Sequence, residues 1–151
     1  MNVTGTALKT VVLSAAMVVL TSAAAVGAAQ AATADVPPSC PSMTSPSNAT
    51  SAATRAQKAM PNGQTLELRS GNVGGYQYAW ARIVNSNDGD AIWVDYSIDS
   101  GRNWRQCDLR TISGGRNYGN GLRTSSSQVV CMRAGGRPKG STVSYLTDWW
   151  C

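Results

Sequence analysis

Hydrophobic and polar side chains alternate with a period of two in six short segments that follow residue 63. Leu66 and Leu68, for example, share one face of the first segment, while their neighbours are polar. Alternation of this kind, interrupted by Gly, Asn and Asp, is typical of strands with one buried face. We therefore predict an all-β domain over residues 64–151, an antiparallel sandwich or small barrel of about six or seven strands. The segments are residues 65–69, 76–84, 91–98, 104–112, 127–134 and 142–150.

The first 31 residues have a different pattern. A single basic residue, Lys9, precedes an apolar run at residues 11–20, and small residues then lead to an Ala-Gln-Ala sequence at residues 29–31. This order predicts a secretory signal peptide over residues 1–31. The apolar run is half of the roughly 20 residues that span a bilayer, and no basic cluster follows it. We expect a secreted, extracellular protein with no membrane span after cleavage.

Residues 32–63 are rich in Ala, Ser, Thr and Pro and contain few large apolar side chains. Such a segment has little to bury, so we predict a mostly irregular leader before the β domain. A short Ala-rich helix is expected over residues 51–60, followed by a turn at residues 61–63.

Four cysteines follow the predicted cleavage site: Cys40, Cys107, Cys131 and Cys151. An even number in a small secreted domain indicates two disulfides, and their spacing matches no metal-binding pattern. Three pairings are possible. We favour Cys107–Cys131 with Cys40–Cys151, because the first would join two predicted strands and the second would tie down both ends of the domain.

The composition excludes several kinds of catalysis. The chain has no His, and its 13 Lys and Arg against 8 Asp and Glu give a net charge of +5. Triads, dyads and zinc sites that need imidazole are therefore absent. Glu67, Asp95, Asp99 and Asp108 are the acids with a case for catalysis, and Asp95 and Asp108 could approach each other across a hairpin. We predict a protein that is not an enzyme and that uses no metal or cofactor.

The basic residues are spread along the chain, and ten of the 13 are Arg. Nucleic-acid binding requires a denser basic stripe, so we predict no nucleic-acid partner. The charge is compatible with attraction to an anionic extracellular polymer, and equally with an ordinary solvated basic surface.

Residues 97–104 read SIDSGRNW and resemble the Asp-box of sialidases and other secreted proteins, with Asn103 in place of the usual Thr. The resemblance implies a structural turn made by Ser97, Asp99, Gly101 and Trp104. Asp99 would accept hydrogen bonds from turn amides, Gly101 would take a positive φ, and Trp104 would pack beneath the hairpin. It implies no sialidase activity, because one box cannot build a propeller.

The sequences LELR (66–69) and AWARI (79–83), with the closing Trp149 and Trp150, resemble small secreted actinobacterial proteins of unknown function. The resemblance covers residues 64–151. This chain differs in lacking a Cys between the two sequences. The resemblance implies export and a β fold, and it implies no activity.

An aromatic stripe is the leading candidate for a binding site. Tyr76, Tyr78 and Trp80 fall on one face of their strand, opposite small aliphatic residues, with Arg69 and Arg82 nearby. Exposed rings beside polar groups bind sugars, whereas in a chain without Phe the same rings are also needed to fill the core. We predict a non-catalytic binding module for an anionic or neutral polysaccharide or cell-wall glycan.

The alternative is a secreted inhibitor of an extracellular hydrolase, with a secreted protein as its partner. Small disulfide-linked β proteins without catalytic groups often act in this way through rigid loops. The Gly-rich loop at residues 113–121 is the candidate contact.

Overall fold

The computed structural model describes Pro37 and residues 39–151, and the predicted signal peptide lies outside these residues. The described chain is built of strands and turns, which confirms the predicted all-β fold. Short 3-10 turns occupy Pro46–Asn48 and Pro61–Gly63. The strands are β1 (Met43–Thr44), β2 (Thr50–Ala59), β3 (Thr65–Val73), β4 (Tyr76–Val84), β5 (Ala91–Ser97), β6 (Arg105–Thr111), β7 (Gly121–Arg123), β8 (Cys131–Arg137) and β9 (Tyr145–Leu146).

The strands form two antiparallel sheets. Sheet A has five strands in the order β1-β7-β4-β3-β2, and sheet B has four in the order β6-β5-β8-β9. Sheet A therefore combines the meander β2–β3–β4 with β1 and β7 from other parts of the chain, and sheet B combines the hairpin β5–β6 with β8 and β9. In the described residues, no helix is long and apolar enough to cross a membrane.

The hydrophobic core lies between the two sheets. Sheet A contributes Leu66, Leu68 and Ile83, which are fully buried, and sheet B contributes Ile92 and Val94 from β5. The alternation in the sequence places these side chains on the inner faces, because successive residues of a strand point to opposite sides. The fold is a two-sheet sandwich closed by apolar burial, the dominant favourable contribution to folding.

Residues 50–59 form a strand, so the prediction of a helix over residues 51–60 within an irregular leader is wrong. β2 pairs with β3 from Thr50↔Asn72 to Ala59↔Thr65. The sequence of β2 does not alternate clearly between apolar and polar residues, and most of its side chains are exposed. Backbone hydrogen bonds to β3 decide the conformation, which is a tertiary effect that local sequence does not encode.

The free edge of sheet A is irregular. The pairing of β2 with β3 shifts register between Thr50 and Ala53 and again between Thr54 and Ala56. Ser51 has a φ of 52° at the first of these bulges. Arg55 lies at the second, where its Nε donates to Ser70 Oγ at 2.6 Å.

Two disulfides are present, as predicted, and they fit an oxidising extracellular environment. The favoured pairing is wrong: Cys40 bonds to Cys107, and Cys131 bonds to Cys151. The first disulfide links the segment before β1 to β6. The second joins the start of β8 to the last residue, because Trp150 pairs with Met132 and brings the chain end beside β8.

Candidate functional site

A cleft of about 260 Å³ opens on the outer face of sheet A. Three parts of the chain surround it: residues 46–52, which lead into β2, the paired strands β3 and β4, and the loop that precedes β7. It brings together three of the five predicted ligand-binding residues, which are Arg69, Trp80 and Arg82. The other polar and aromatic residues of its lining are Ser47, Asn117 and Tyr118.

Trp80 forms the floor of the cleft and is only 5% exposed. Its indole lies over Gly71, where a Cβ would stand 3.1 Å from Trp80 Cη2 and 3.3 Å from Ala49 Cβ. The prediction that Trp80 is exposed for ligand stacking is therefore wrong. Its strand face was correctly predicted as the outer one, but the segment before β2 folds across that face and covers most of the ring.

Two guanidinium groups share one carboxylate at the side of the cleft. Arg82 Nε and Nη2 lie 2.8 Å and 2.7 Å from Glu67 Oε2. Arg69 Nη1 lies 3.7 Å from the same oxygen and donates to Thr54 Oγ1 at 2.9 Å. Register explains the cluster, because Glu67 pairs with Arg82 and Arg69 with Trp80 on the same outer face.

The loop wall is fixed to sheet A by backbone hydrogen bonds. Ile83 N–H donates to the Asn117 carbonyl at 2.9 Å, and Gly119 N–H donates to the Ala81 carbonyl at 3.0 Å. Tyr118 pairs with Arg82 in an isolated bridge. Residues 117–119 therefore extend the pairing of β7 along β4, and Asn117 and Tyr118 are held in place beside the cleft.

Asp108 ties this loop to sheet B. It accepts hydrogen bonds from Asn120 N at 2.5 Å and Asn120 Nδ2 at 3.2 Å, and it forms an ion pair with Arg110. Arg116 Nη2 donates in turn to Asn120 Oδ1 at 3.0 Å. Asp108 has a φ of 53° within the bulge of β6, which turns its carboxylate toward the loop. This role has no signal in the sequence.

Tyr76 and Tyr78 lie on the same strand face but outside the lining of the cleft. Tyr76 is 52% exposed, and the guanidinium of Arg123 stacks 3.9 Å from its ring centroid. Tyr78 is half-buried and packs against Gly121, where a Cβ would stand 2.9 Å from Tyr78 Cβ. The predicted stripe thus divides into an exposed end at Tyr76 and a covered end at Trp80.

The turn at residues 97–103 is organised around Asp99. Its Oδ1 accepts from Asn103 N at 2.9 Å and from Ser97 Oγ at 2.8 Å, and its Oδ2 accepts from Asn103 Nδ2 at 2.6 Å. The hydrogen bonds from Asn103 lower the pKa of the Asp99 carboxyl below its ordinary value. Gly101 has a φ of 83°. The side chains of Ser97, Asp99 and Asn103 thus form their hydrogen bonds within the turn.

Trp104 does not pack beneath this hairpin as predicted, and it is 47% exposed. It lies edge-on to Trp149, with ring centroids 6.3 Å apart. The Arg133 guanidinium lies 4.6 Å from the Trp104 centroid and 4.4 Å from that of Trp149. Trp149 occupies the space against Gly101 instead, where a Cβ would stand 2.7 Å from its ring. The sequence prediction missed this cluster because its members come from three separate segments.

Asp95 is buried beneath the same cluster, where it accepts from Arg133 Nε at 2.8 Å. Burial raises the pKa of Asp95, and the hydrogen bond and charge of Arg133 oppose the rise. Asp95 and Asp108 bind different partners, and neither lines the cleft. Among the residues that the structure describes, no group of three Cys, Asp or Glu side chains is placed to hold a metal ion.

A second, smaller pocket of about 90 Å³ lies beside the Cys131–Cys151 disulfide. Its rim is the hydroxyl-rich segment of residues 124–128, and its floor includes Met132 and Trp150. None of the predicted ligand-binding residues lies there. The cleft on sheet A is larger and holds more of them, so we take it as the candidate site.

Comparison of the chain with protein-family models, with curated proteins and with solved structures finds no match.

Proposed function

We propose that this protein is an exported, non-catalytic module that binds an extracellular polysaccharide, and that the cleft on sheet A holds one sugar unit. The observation that carries the proposal is the composition of the cleft. It places an aromatic side chain, Tyr118, beside the guanidinium groups of Arg69 and Arg82, the amide of Asn117 and the hydroxyl of Ser47. Sugar rings have apolar C–H faces and many hydroxyl groups, so they require this mixture of surfaces.

The size of the cleft supports a single sugar unit of a longer chain. Its volume of about 260 Å³ lies just below the roughly 300–1,000 Å³ of sites that enclose a whole small molecule. Beyond the cleft, the strand face continues past Tyr78 to the exposed Tyr76. Alternate residues of a strand are about 6.6–6.8 Å apart, so the exposed face offers further contacts to an extended polymer.

Preorganisation also favours binding. Tyr118 is fixed by its bridge to Arg82, and the Arg116 guanidinium stacks 4.9 Å from its ring centroid. Asn117 is held through its carbonyl by Ile83 N–H. A wall that is already ordered loses little conformational entropy when a ligand binds, which leaves more of the interaction energy for affinity.

The proposal is tested by affinity electrophoresis of the mature protein through gels that contain soluble polysaccharides, both neutral and acidic. We expect at least one polymer to retard the protein, and Tyr118→Ala to abolish most of that retardation. Leu109→Ala is the control, because Leu109 is 56% exposed on sheet B, away from the cleft. Retardation that survives Tyr118→Ala would place the site elsewhere, and a protein that no polymer retards would refute the function.

The second candidate is inhibition of an extracellular hydrolase through the loop at residues 113–121. Asn120 N donates to Asp108, and Arg116 Nη2 donates to Asn120 Oδ1. These hydrogen bonds favour the second candidate, because they fix one side of a loop whose tip, residues 113–115, is exposed. Activity of a panel of secreted hydrolases, measured with and without the protein, tests this candidate. Inhibition that is lost in Arg116→Ala would support it over polysaccharide binding.

A further inference from the structure

The charge within the cleft is unbalanced. Arg69 and Arg82 both lie within 4 Å of Glu67, and no other described carboxylate forms a salt bridge with either cation. Their side chains are 18% and 32% exposed, so the remaining positive charge is partly shielded from water. Residues that line the cleft include no acid. One unit of positive charge is therefore uncompensated beside Trp80.

Most of the other carboxylates of the described chain are engaged away from this cleft. Of the acids outside the cleft, five accept hydrogen bonds elsewhere in the fold, and only Asp148 has no side-chain partner among the described residues. The five are Asp88, Asp90, Asp95, Asp99 and Asp108. By contrast, four of the twelve described Lys and Arg side chains lie in salt bridges, which leaves eight without one.

The guanidinium groups retain hydrogen-bond donors for a ligand. A guanidinium has five N–H donors, and Arg82 directs those of Nε and Nη2 toward Glu67. In Arg69, Nη1 is the nitrogen that bonds to Thr54 and lies nearest to Glu67. A carboxylate is planar and presents two oxygens, so it matches guanidinium donors better than a hydroxyl does, and its hydrogen bonds to them are charge-assisted.

We infer that the cleft selects a sugar unit that carries a carboxylate, such as a uronic acid residue of an acidic polysaccharide. The inference rests on the proposed function and specifies its ligand. The carboxylate is bound by the free donors of Arg69 and Arg82 and balances the unpaired positive charge. Asn117 and Ser47, which also line the cleft, supply polar groups for the hydroxyls of the same unit.

The test compares one polymer in two chemical states. Polygalacturonate is the acidic probe, and the same polymer after chemical reduction of its carboxyl groups to alcohols is the neutral probe. Dissociation constants are measured by titration calorimetry with size-matched oligomers at low and at physiological salt. We expect reduction to weaken binding by about tenfold or more, because charge-assisted hydrogen bonds to the guanidinium groups are lost.

Three variants locate the effect. Arg82→Gln should weaken binding of the acidic oligomer more than it weakens binding of the neutral one, because only the acidic oligomer loses a charge-assisted hydrogen bond. Glu67→Gln should strengthen binding of the acidic oligomer, because it removes the competing negative charge and keeps the shape of the side chain. Arg137→Gln is the matched control, since Arg137 is exposed at the end of β8 and has no salt bridge within the described chain.

The outcomes separate the two proposals. Equal binding of the two oligomers, with loss of both in Tyr118→Ala, would overturn the carboxylate and leave polysaccharide binding intact. If Arg82→Gln and Arg137→Gln weaken acidic binding equally, the cause is the overall charge of the protein. That result would also overturn the carboxylate site. Dextran sulfate should displace the acidic oligomer less effectively than free galacturonate oligomers do. Equal displacement would show that any anion suffices, so that the cleft does not select a carboxylate. Binding of neither oligomer would refute this ligand, whereas failure of the whole electrophoresis panel would refute the function.

Discussion

Trp80 occupies an unusual position for a buried aromatic residue, because it lies outside the core between the sheets. Its ring is enclosed by Gly71 and Ala49 on the outer face of sheet A. The covering segment is held by the pairing of β1 with β7 and by the Cys40–Cys107 disulfide. The ring therefore links the outer segment to the sheet, and it contributes to stability as well as to the cleft floor.

We expect Trp80→Ala to lower the free energy of unfolding by about 3 kcal/mol, because a large buried ring is replaced by a cavity. Tyr76→Ala is the control: its ring is half exposed, and loss of the stacking with Arg123 should cost about 0.5–1 kcal/mol. Urea denaturation followed by fluorescence measures both. Equal stability of Trp80→Ala and the parent protein would show that the ring is freely exposed in solution.

The two carboxyls with shifted pKa values, Asp95 in β5 and Asp99 in the turn after it, should affect acid stability with opposite signs. The pKa of Asp99 in the folded protein lies below its ordinary value of 3.8. Its contribution to stability is therefore present above that value and is lost as the pH falls through the folded pKa. The pKa of Asp95 is raised, so its ionisation costs stability as the pH rises through the interval above 3.8.

Asp99→Asn should accordingly flatten the rise in stability between about pH 2 and 4, the region around and below the ordinary pKa of an aspartate. Asp95→Asn should make stability rise more steeply above pH 4, because the opposing contribution is removed. Thermal unfolding at a series of pH values measures both slopes. Identical slopes in the two variants would contradict the opposite pKa shifts.

Among the structural elements, the disulfides constrain the chain to different extents. Cys40 and Cys107 are separated by 67 residues, and Cys131 and Cys151 by 20. In the chain-entropy model, loops of these lengths correspond to about 4 and 3 kcal/mol of stabilisation. The longer loop also includes the whole of β1 to β5, so its disulfide connects the cleft wall on sheet A to the edge of sheet B.

The double variant Cys40→Ala/Cys107→Ala should therefore be less stable than Cys131→Ala/Cys151→Ala by about 1 kcal/mol. Chemical denaturation under non-reducing conditions measures the difference. Loss of the first disulfide should also weaken polysaccharide binding, because it frees the segment that forms one wall of the cleft. The reverse order of stabilities would show that native-state contacts, rather than loop length, dominate.

Several elements follow from the sequence, and others do not. β4 was predicted over residues 76–84 and has those bounds, because its inner face carries small aliphatic residues in strict alternation. The predicted strand over residues 127–134 begins later, at Cys131, and only Tyr145 and Leu146 of residues 142–150 form a strand. A turn at residues 128–129 and an irregular stretch at residues 142–144 replace the predicted pairing.

The candidate site was only partly predictable, because contacts between distant parts of the chain form its walls. Alternation correctly grouped Arg69, Trp80 and Arg82 on one face of β3 and β4. It contains no information about what covers that face, so Tyr118 and the wall before β2 were missed. Disulfide pairing depends on the same long-range contacts, so the argument from joined strands and tethered chain ends favoured the wrong partners.

At the scale of the whole molecule, the two sheets share one core and should unfold together. β4 and β5 each lie between two other strands, and their inner residues are fully buried. We expect the amides of both strands to exchange hydrogen only through global unfolding, while those of β1 and β9 exchange through local opening. Hydrogen exchange followed by NMR measures this. Fast exchange in one central strand alone would indicate sheets of independent stability.

The irregular edge of β2 has a consequence for the protein at high concentration. A straight outer strand of ten residues would present unpaired N–H and C=O groups to another copy of the chain, which is how fibrils begin. Here two bulges interrupt the edge, and Arg55 and Lys58 add positive charge to it. An approaching copy meets both a mismatched backbone and like-charge repulsion. The same irregular strand that escapes recognition in the sequence therefore protects the protein against edge-to-edge aggregation.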